Sequence, residues 1–295
     1  MNNKKQEWNR LIIYLAFSFG LAFLWFFLSI SKGQSWDDMS QRMQSFVALG
    51  MMFPMISHVL ARWLTKEGST LAGKDSMMLS ISFENRKWIY FLLAILLPWV
   101  YTELGNVIAL LLSPACYDSE YYLSIEIDKK LLTLLPLNAM VTGSIGSIAA
   151  LGEEGGWRGY MMPKLCKLMP KAPALIFGGI IWGLWHAPLT CIGHNFGTDY
   201  PGFPYVGILC MCVMCIFMGI LLTFVTEMSG SVWPAAIMHA VNNAGPSILN
   251  GYIDPDKGKW ILGVSTHWLG LMISLMIVDL IVLIIWRKCR KKAEL

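Results

Sequence analysis

The chain has 295 residues, of which 56% are hydrophobic and only 14% are charged. A soluble domain carries about 25% charged residues, so this composition excludes an ordinary soluble globular protein, a disordered chain and a small disulfide scaffold. The net charge is +4, and the basic residues lie in short loops and at both ends, which argues against nucleic-acid binding.

Apolar residues are concentrated in runs of about 20, the length at which a helix crosses a ~30 Å hydrocarbon core. We therefore predict an all-α fold, a polytopic membrane helical bundle with about eight transmembrane helices. The predicted spans are 11–30, 46–64, 88–112, a segment from about 131 to 153, 172–189, 206–226, 231–249 and 267–286. They divide the chain into three parts. Residues 1–130 hold helices one to three, 131–250 form a core of helices four to seven, and 251–295 form the last helix with a basic tail.

Lysine and arginine are concentrated in alternate loops, and such loops stay in the cytosol. The basic positions are Lys4, Lys5, Arg10, Lys66, Lys74, Arg86, Lys87, Arg158, Lys164, Lys167, Lys171, Arg287, Lys288, Arg290, Lys291 and Lys292. Eight crossings with both termini cytosolic satisfy this pattern. No small-residue cleavage site follows the first span, before residues 31–45, so we expect an uncleaved anchor.

Two adjacent carboxylates, Glu153 and Glu154, follow directly on the apolar fourth span. On a continuous helix Glu154 and Arg158 share a face, whereas Glu153 points about 100° away from Glu154. This spacing predicts an ion pair between Glu154 and Arg158, and it leaves Glu153 without a local partner as a candidate general base. The charges could equally cap the cytosolic end of the span.

Two later spans carry polar pairs at four-residue spacing, which puts each pair on one helix face. Trp182 and His186 lie in the fifth span, where Pro188 removes a helical hydrogen bond, and His239 and Asn243 lie in the seventh. Alone, either pair could serve hydrogen bonding between helices. Counting residues from the cytosolic helix ends, however, gives Glu153 and the two histidines depths at which they could meet in one cavity.

Other positions are predicted to be structural. His58 and Arg62 are four apart near the cytosolic end of the second span, where we expect them to pair or to reach the interface. The glycines of segments 152–156 and 179–183 fit close helix approach. Gly155 and Gly156 are poor helix formers and are expected to loosen the helix after the acidic pair.

The order Glu-Glu-x-x-x-Arg, aromatic-x-x-x-His and His-x-x-x-Asn resembles the CPBP family, the CAAX-protease and bacteriocin-processing family of intramembrane proteases, also called Abi. The resemblance covers roughly residues 130–250. One departure is Trp182, where phenylalanine is more typical, and we expect it to affect only local packing. The resemblance implies hydrolysis of a peptide bond inside the membrane.

The mechanism expected on this basis is water activation. Glu153 and His186 would hold the attacking water with Glu153 as general base, while His239 and Asn243 would donate hydrogen bonds to the developing oxyanion. Glu154 and Arg158 would fix the geometry. Zinc bound by Glu153, His186 and His239 is the alternative, since these side chains could supply three ligands. We favour the mechanism that requires no metal or other cofactor.

The implied partners are the lipid bilayer and a membrane-associated peptide or protein that is cut near its C-terminus or leader. In the eukaryotic branch of the family the substrate is a prenylated CAAX protein, and bacterial members resemble proteases for leader peptides, pheromones or bacteriocin-related peptides. The compact sequence resembles a bacterial member in the cell membrane. The alternative is a non-enzymatic bacteriocin immunity protein or a proton-coupled transporter, both of which can use intramembrane acidic and imidazole groups.

Overall fold

The computed structural model of the chain describes residues 2–30, 34–73 and 75–293, and the side chains of residues 4–30, 34–73 and 75–289. The predicted positive charges at Lys74 and at Arg290, Lys291 and Lys292 therefore lie outside the described side chains, as do residues 31–33 after the first span.

The described residues are predominantly helical. The α-helices are α1 (Asn2–Ser29), α2 (Gln41–Ala48), α3 (Phe53–Thr65), α4 (Trp88–Leu112), α5 (Tyr121–Ser124), α6 (Leu135–Gly156), α7 (Met162–Leu168), α8 (Lys171–Trp185), α9 (Ala187–Thr190), α10 (Tyr205–Ser229), α11 (Trp233–Asn243) and α12 (Thr266–Ala293). A π-helix, Trp157–Met161, joins α6 to α7. The only described strands are β1 (Trp260–Ile261) and β2 (Val264–Ser265), which pair antiparallel.

Six segments of the described chain are helical, long and apolar enough to cross a membrane. They are Lys4–Ser29, Gln41–Thr65, Glu84–Leu112, Lys129–Leu168, Tyr205–Ser229 and Thr266–Cys289. These segments coincide with predicted spans one to four, six and eight. The predicted fold class is confirmed: the protein is an all-α, polytopic membrane protein.

The predicted fifth and seventh spans form shorter helices. Helix α8 has 15 residues and α11 has 11, which correspond to about 22 Å and 16 Å at a rise of 1.5 Å per residue. Helix α8 ends at Trp185 because Pro188 has no N–H to bond the Leu184 carbonyl. His186 is therefore the residue that caps α8. The number of crossings and the cytosolic termini stay predictions.

The chain forms two compact units, each built from two separate stretches. The first contains Met1–Trp88 and Ile148–Ala236, and the second contains Ile89–Ser147 and Ile237–Leu295. Helices α6 and α11 contribute residues to both units. The three-part division predicted from the sequence stays a prediction.

In the first unit, α8 packs against α10, and α1 packs against α3 and α7. A Cβ atom at Gly179 or Gly183 would collide with the backbone of Ile216 or Cys212 on α10. A Cβ at Gly156 would likewise collide with the backbone of Pro54 at the start of α3. Close helix approach at both glycine segments is therefore confirmed.

The second unit packs α12 onto α4 through Gly105 and Gly270, where a side chain on either glycine would meet the other helix. Polar side chains of α4 bind the segment after α11. Asn106 donates to Ser247 Oγ and Asn250 Oδ1, both at 2.8 Å, and Glu103 accepts from the Ile248 amide at 3.0 Å. These bonds hold the end of α11, which carries His239 and Asn243, against α4.

Candidate active site

The acidic pair lies at a change of helix type. Glu153 and Glu154 belong to the last turn of α6, and the chain widens into the π-helix directly after Gly156. Short π-helices occur often at functional sites. The loosening expected from Gly155 and Gly156 is present, although the helix widens and continues to Leu168 without breaking.

Glu154 and Arg158 form the ion pair that their spacing predicts. Arg158 Nη1 lies 3.1 Å from Glu154 Oε1 and 3.0 Å from Oε2, and both side chains are buried. The π-helix begins between the two residues, yet the i,i+4 contact is retained. Because both charges are away from water, each depends on the other for compensation.

Glu153 is also buried, and a hydrogen-bond partner of its carboxylate comes from another helix. The indole N–H of Trp182 donates to Glu153 Oε2 at 2.7 Å. Trp182 lies 29 residues later, on α8. The contact follows from the packing of α8 beside the end of α6, which the spacing along one helix does not reveal.

His186 is held by the residue one turn before it. Its Nδ1 atom lies 2.9 Å from the Trp182 carbonyl oxygen, and the imidazole is buried. A carbonyl can only accept, so Nδ1 carries the hydrogen, and in the neutral ring the lone pair is on Nε2. This tautomer suits a histidine that accepts a proton or hydrogen bond through Nε2.

His58 and Arg62 form the predicted pair, and the pair supports the acidic helix. Arg62 Nε donates to His58 Nε2 at 2.6 Å. A guanidinium only donates, so Nε2 accepts and Nδ1 carries the hydrogen, which it donates to the Gly155 carbonyl at 2.7 Å. The four-residue spacing signals the pair, but nothing in the spacing signals its contact with Gly155.

His239 and Asn243 lie in the second unit, on α11. His239 is buried, and Asn243 is the last residue of the helix. Asn243 Oδ1 accepts from Asn242 Nδ2 at 3.2 Å, and Asn242 Oδ1 accepts from the buried Tyr101 hydroxyl at 2.9 Å. With its oxygen bound this way, the Asn243 side chain presents its amide hydrogens as donors. Sequence reasoning did not find Asn242 as a partner of Asn243, or Tyr101 as a partner of Asn242.

The predicted zinc ligands are divided between the units, since Glu153 and His186 belong to the first and His239 to the second. Among the described residues of either unit, no three His, Cys, Asp or Glu side chains lie close enough together to hold one metal ion. Neither unit by itself therefore supplies the three ligands of a catalytic zinc site, and the choice between the two mechanisms stays a prediction.

A cavity of about 260 Å³ opens in the first unit beside the ion pair. Its walls include Arg158, Gly159 and Tyr160 of the π-helix, together with Thr223 and Glu227 near the end of α10. Glu153 and His186 do not line it.

Comparison with known proteins was consistent with the three motifs. Residues 135–245 match the family model described as Type II CAAX prenyl endopeptidase Rce1-like. A 49-residue segment is 41% identical to CAAX prenyl protease 2 of Methanococcus maripaludis, over 17% of this chain and 18% of that protein. The chain thus aligns with less than a fifth of the relative's length. The matched region contains Glu153, Glu154, Arg158, His186, His239 and Asn243. Over residues 135–245 the chain is therefore similar to the CAAX-protease family that its motifs suggested.

Proposed function

We propose that the protein is an intramembrane endopeptidase that hydrolyses a peptide bond of a membrane-associated peptide or protein with an activated water. The observation that carries this proposal is the pairing of a buried carboxylate with a buried imidazole through one residue. Glu153 accepts from Trp182 at 2.7 Å, and the Trp182 carbonyl accepts from His186 at 2.9 Å. A buried Glu–His pair of this kind suits proton transfer better than it suits packing.

In the proposed reaction, Glu153 Oε1 removes a proton from water while His186 Nε2 holds the water. The hydroxide oxygen attacks the carbonyl carbon of the scissile bond and gives a tetrahedral intermediate. Collapse breaks the C–N bond, and the amine leaves with the proton returned by Glu153. The motifs assign His239 and Asn243 to the donors for the oxyanion, and we keep that assignment as part of the proposal.

The substrate is proposed to be a peptide that reaches the site from the bilayer, cut near its C-terminus or leader. The family description and the name of the Methanococcus maripaludis relative both contain the word prenyl. We therefore propose testing prenylated and unprenylated peptides of the same sequence. Both termini are proposed to be cytosolic, as the basic loops predict.

The test is cleavage by the purified protein in liposomes that contain a membrane-anchored peptide library, read by mass spectrometry. New peptide termini should appear with the wild type and disappear with Glu153→Gln. A matched control is Glu227→Gln. Glu227 lies near the end of α10, and its carboxylate pairs with Lys171 at the start of α8. Cleavage that persists in Glu153→Gln would contradict the proposal.

A further inference from the structure

One residue, Trp182, contacts three side chains of the site through three different groups. Its indole N–H donates to Glu153 Oε2 at 2.7 Å, and its carbonyl accepts from His186 Nδ1 at 2.9 Å. The guanidinium carbon of Arg158 lies over its ring, 4.0 Å from the centroid. Trp182 and its three partners are all buried.

The contact with Glu153 fixes the orientation of a carboxylate. The last torsion of a glutamate side chain is broad and poorly restrained by itself. An indole N–H can only donate, so its hydrogen bond to Oε2 restrains the rotation of the Glu153 carboxylate. A hydrogen bond to an ionised oxygen is also stronger than a neutral one.

The contact with Arg158 keeps the two carboxylates chemically distinct. The guanidinium lies on the ring face, where the negative side of the π system attracts it, and there it pairs with Glu154. Glu153 meets the edge of the same ring. The ring face therefore carries the cation that pairs with Glu154, while the ring edge donates a hydrogen bond to Glu153.

We propose that Trp182 is a positioning residue for catalysis, which orients Glu153 through its indole N–H and so sets the direction of proton removal. This inference rests on the proposed function. It predicts more than packing, because a phenyl ring in the same place would keep the contact with Arg158 and the backbone contact with His186 while losing the hydrogen bond to Glu153.

The experiment compares Trp182→Phe with Trp233→Phe in the liposome cleavage assay. Trp233 is a matched control, since its indole N–H also donates to an oxygen, the Leu79 carbonyl at 3.0 Å. We expect kcat to fall roughly 10- to 100-fold in Trp182→Phe with KM within about twofold, because a misaligned base loses rate and not binding. Trp233→Phe should keep the wild-type kcat, and the thermal melts of the two variants should match.

A second variant removes only the donor. Replacing Trp182 with 3-benzothienylalanine puts sulfur in place of the indole N–H and leaves the ring shape unchanged. This variant should lose kcat to the same extent as Trp182→Phe, and it decides the question if the phenylalanine variant folds poorly. A wild-type kcat in the benzothienyl variant, with Glu153→Gln still inactive, would overturn the role of Trp182. Wild-type activity in Glu153→Gln would instead overturn the proposed function itself.

Discussion

The imidazole of His58 donates its Nδ1 hydrogen to the carbonyl of Gly155, 2.7 Å away, at the point where α6 gives way to the π-helix. His58 is fully buried, and its Nε2 accepts from Arg62. These two hydrogen bonds, Arg62 to His58 and His58 to Gly155, join α3 to the helical turn that carries the acidic pair. The geometry of that turn therefore depends on a helix that lies outside the three motifs.

Variants of His58 should separate its hydrogen bond to Gly155 from its hydrogen bond with Arg62. In His58→Asn the amide nitrogen can take the place of Nδ1 and still donate to the Gly155 carbonyl. In His58→Gln the amide oxygen can take the place of Nε2 and accept from Arg62, but the bond to Gly155 is lost. We expect both to lose about 1–3 kcal/mol of unfolding free energy, since each leaves one buried partner unsatisfied. Activity per folded molecule should be closer to wild type in His58→Asn. Denaturant unfolding and cleavage rates check this, and a larger activity loss in His58→Asn would contradict it.

The buried pair of Glu154 and Arg158 gives a prediction on stability. Glu154→Gln leaves Arg158 without its compensating charge, and breaking a buried pair from one side costs on the order of 3–5 kcal/mol. Neutralising both residues, in Glu154→Gln with Arg158→Met, should recover part of this loss. Thermal melts of the single and double variants measure it. A double variant that is less stable than the sum of the two single changes would exclude a simple ion pair.

Some of this site is predictable from the sequence and some is not, for a physical reason. The Glu154–Arg158 and His58–Arg62 pairs follow from four-residue spacing on one helix. The Trp182–Glu153 and Tyr101–Asn242 bonds join residues on different helices, and their formation depends on how those helices pack.

The span predictions show the same limit. Hydropathy detects the apolar runs of the predicted fifth and seventh spans, but it does not detect where hydrogen bonding stops. Pro188 is visible in the sequence and explains why α8 ends at Trp185. The π-helix after Gly156 is only hinted at by two adjacent glycines.

Glu67, in the segment after α3, gives a prediction on pH. Burial raises the pKa of its carboxyl, but hydrogen bonds from Lys164, Tyr160 and Thr65 outweigh this and hold the pKa below the ordinary value of 4.5. A depressed pKa in the folded state means that Glu67 stabilises the protein above about pH 4.5, and that this contribution is lost as the pH falls through the folded pKa.

The measurement is the Tm of the wild type and of Glu67→Gln between pH 6.5 and pH 3.5. The wild type should be more stable at the upper end, and the difference should shrink as the pH falls below about 4.5. Glu227→Gln serves as the comparison for a more exposed paired carboxylate. A difference between wild type and Glu67→Gln that does not change with pH would show that the Glu67 charge contributes nothing.

Whether cleavage requires zinc can be tested directly by chelation and by elemental analysis of the purified protein. We predict that cleavage survives exhaustive chelation, because the proposed base and its partners are protein groups. Elemental analysis of the purified protein should then find far less than one equivalent of zinc. One equivalent of zinc, with activity lost on chelation and restored only by added metal, would establish the zinc mechanism instead.

The most direct test of the account is the cleavage rate of Glu153→Gln beside that of Glu154→Gln in the same liposomes. Glutamine at 153 keeps the volume and can still accept from Trp182, but it cannot remove a proton. We predict that Glu153→Gln folds normally and loses about 10²–10⁴ in rate, while folded Glu154→Gln retains cleavage. A Glu153→Gln variant that cleaves at the wild-type rate, beside a folded but inactive Glu154→Gln, would contradict the assignment of the base.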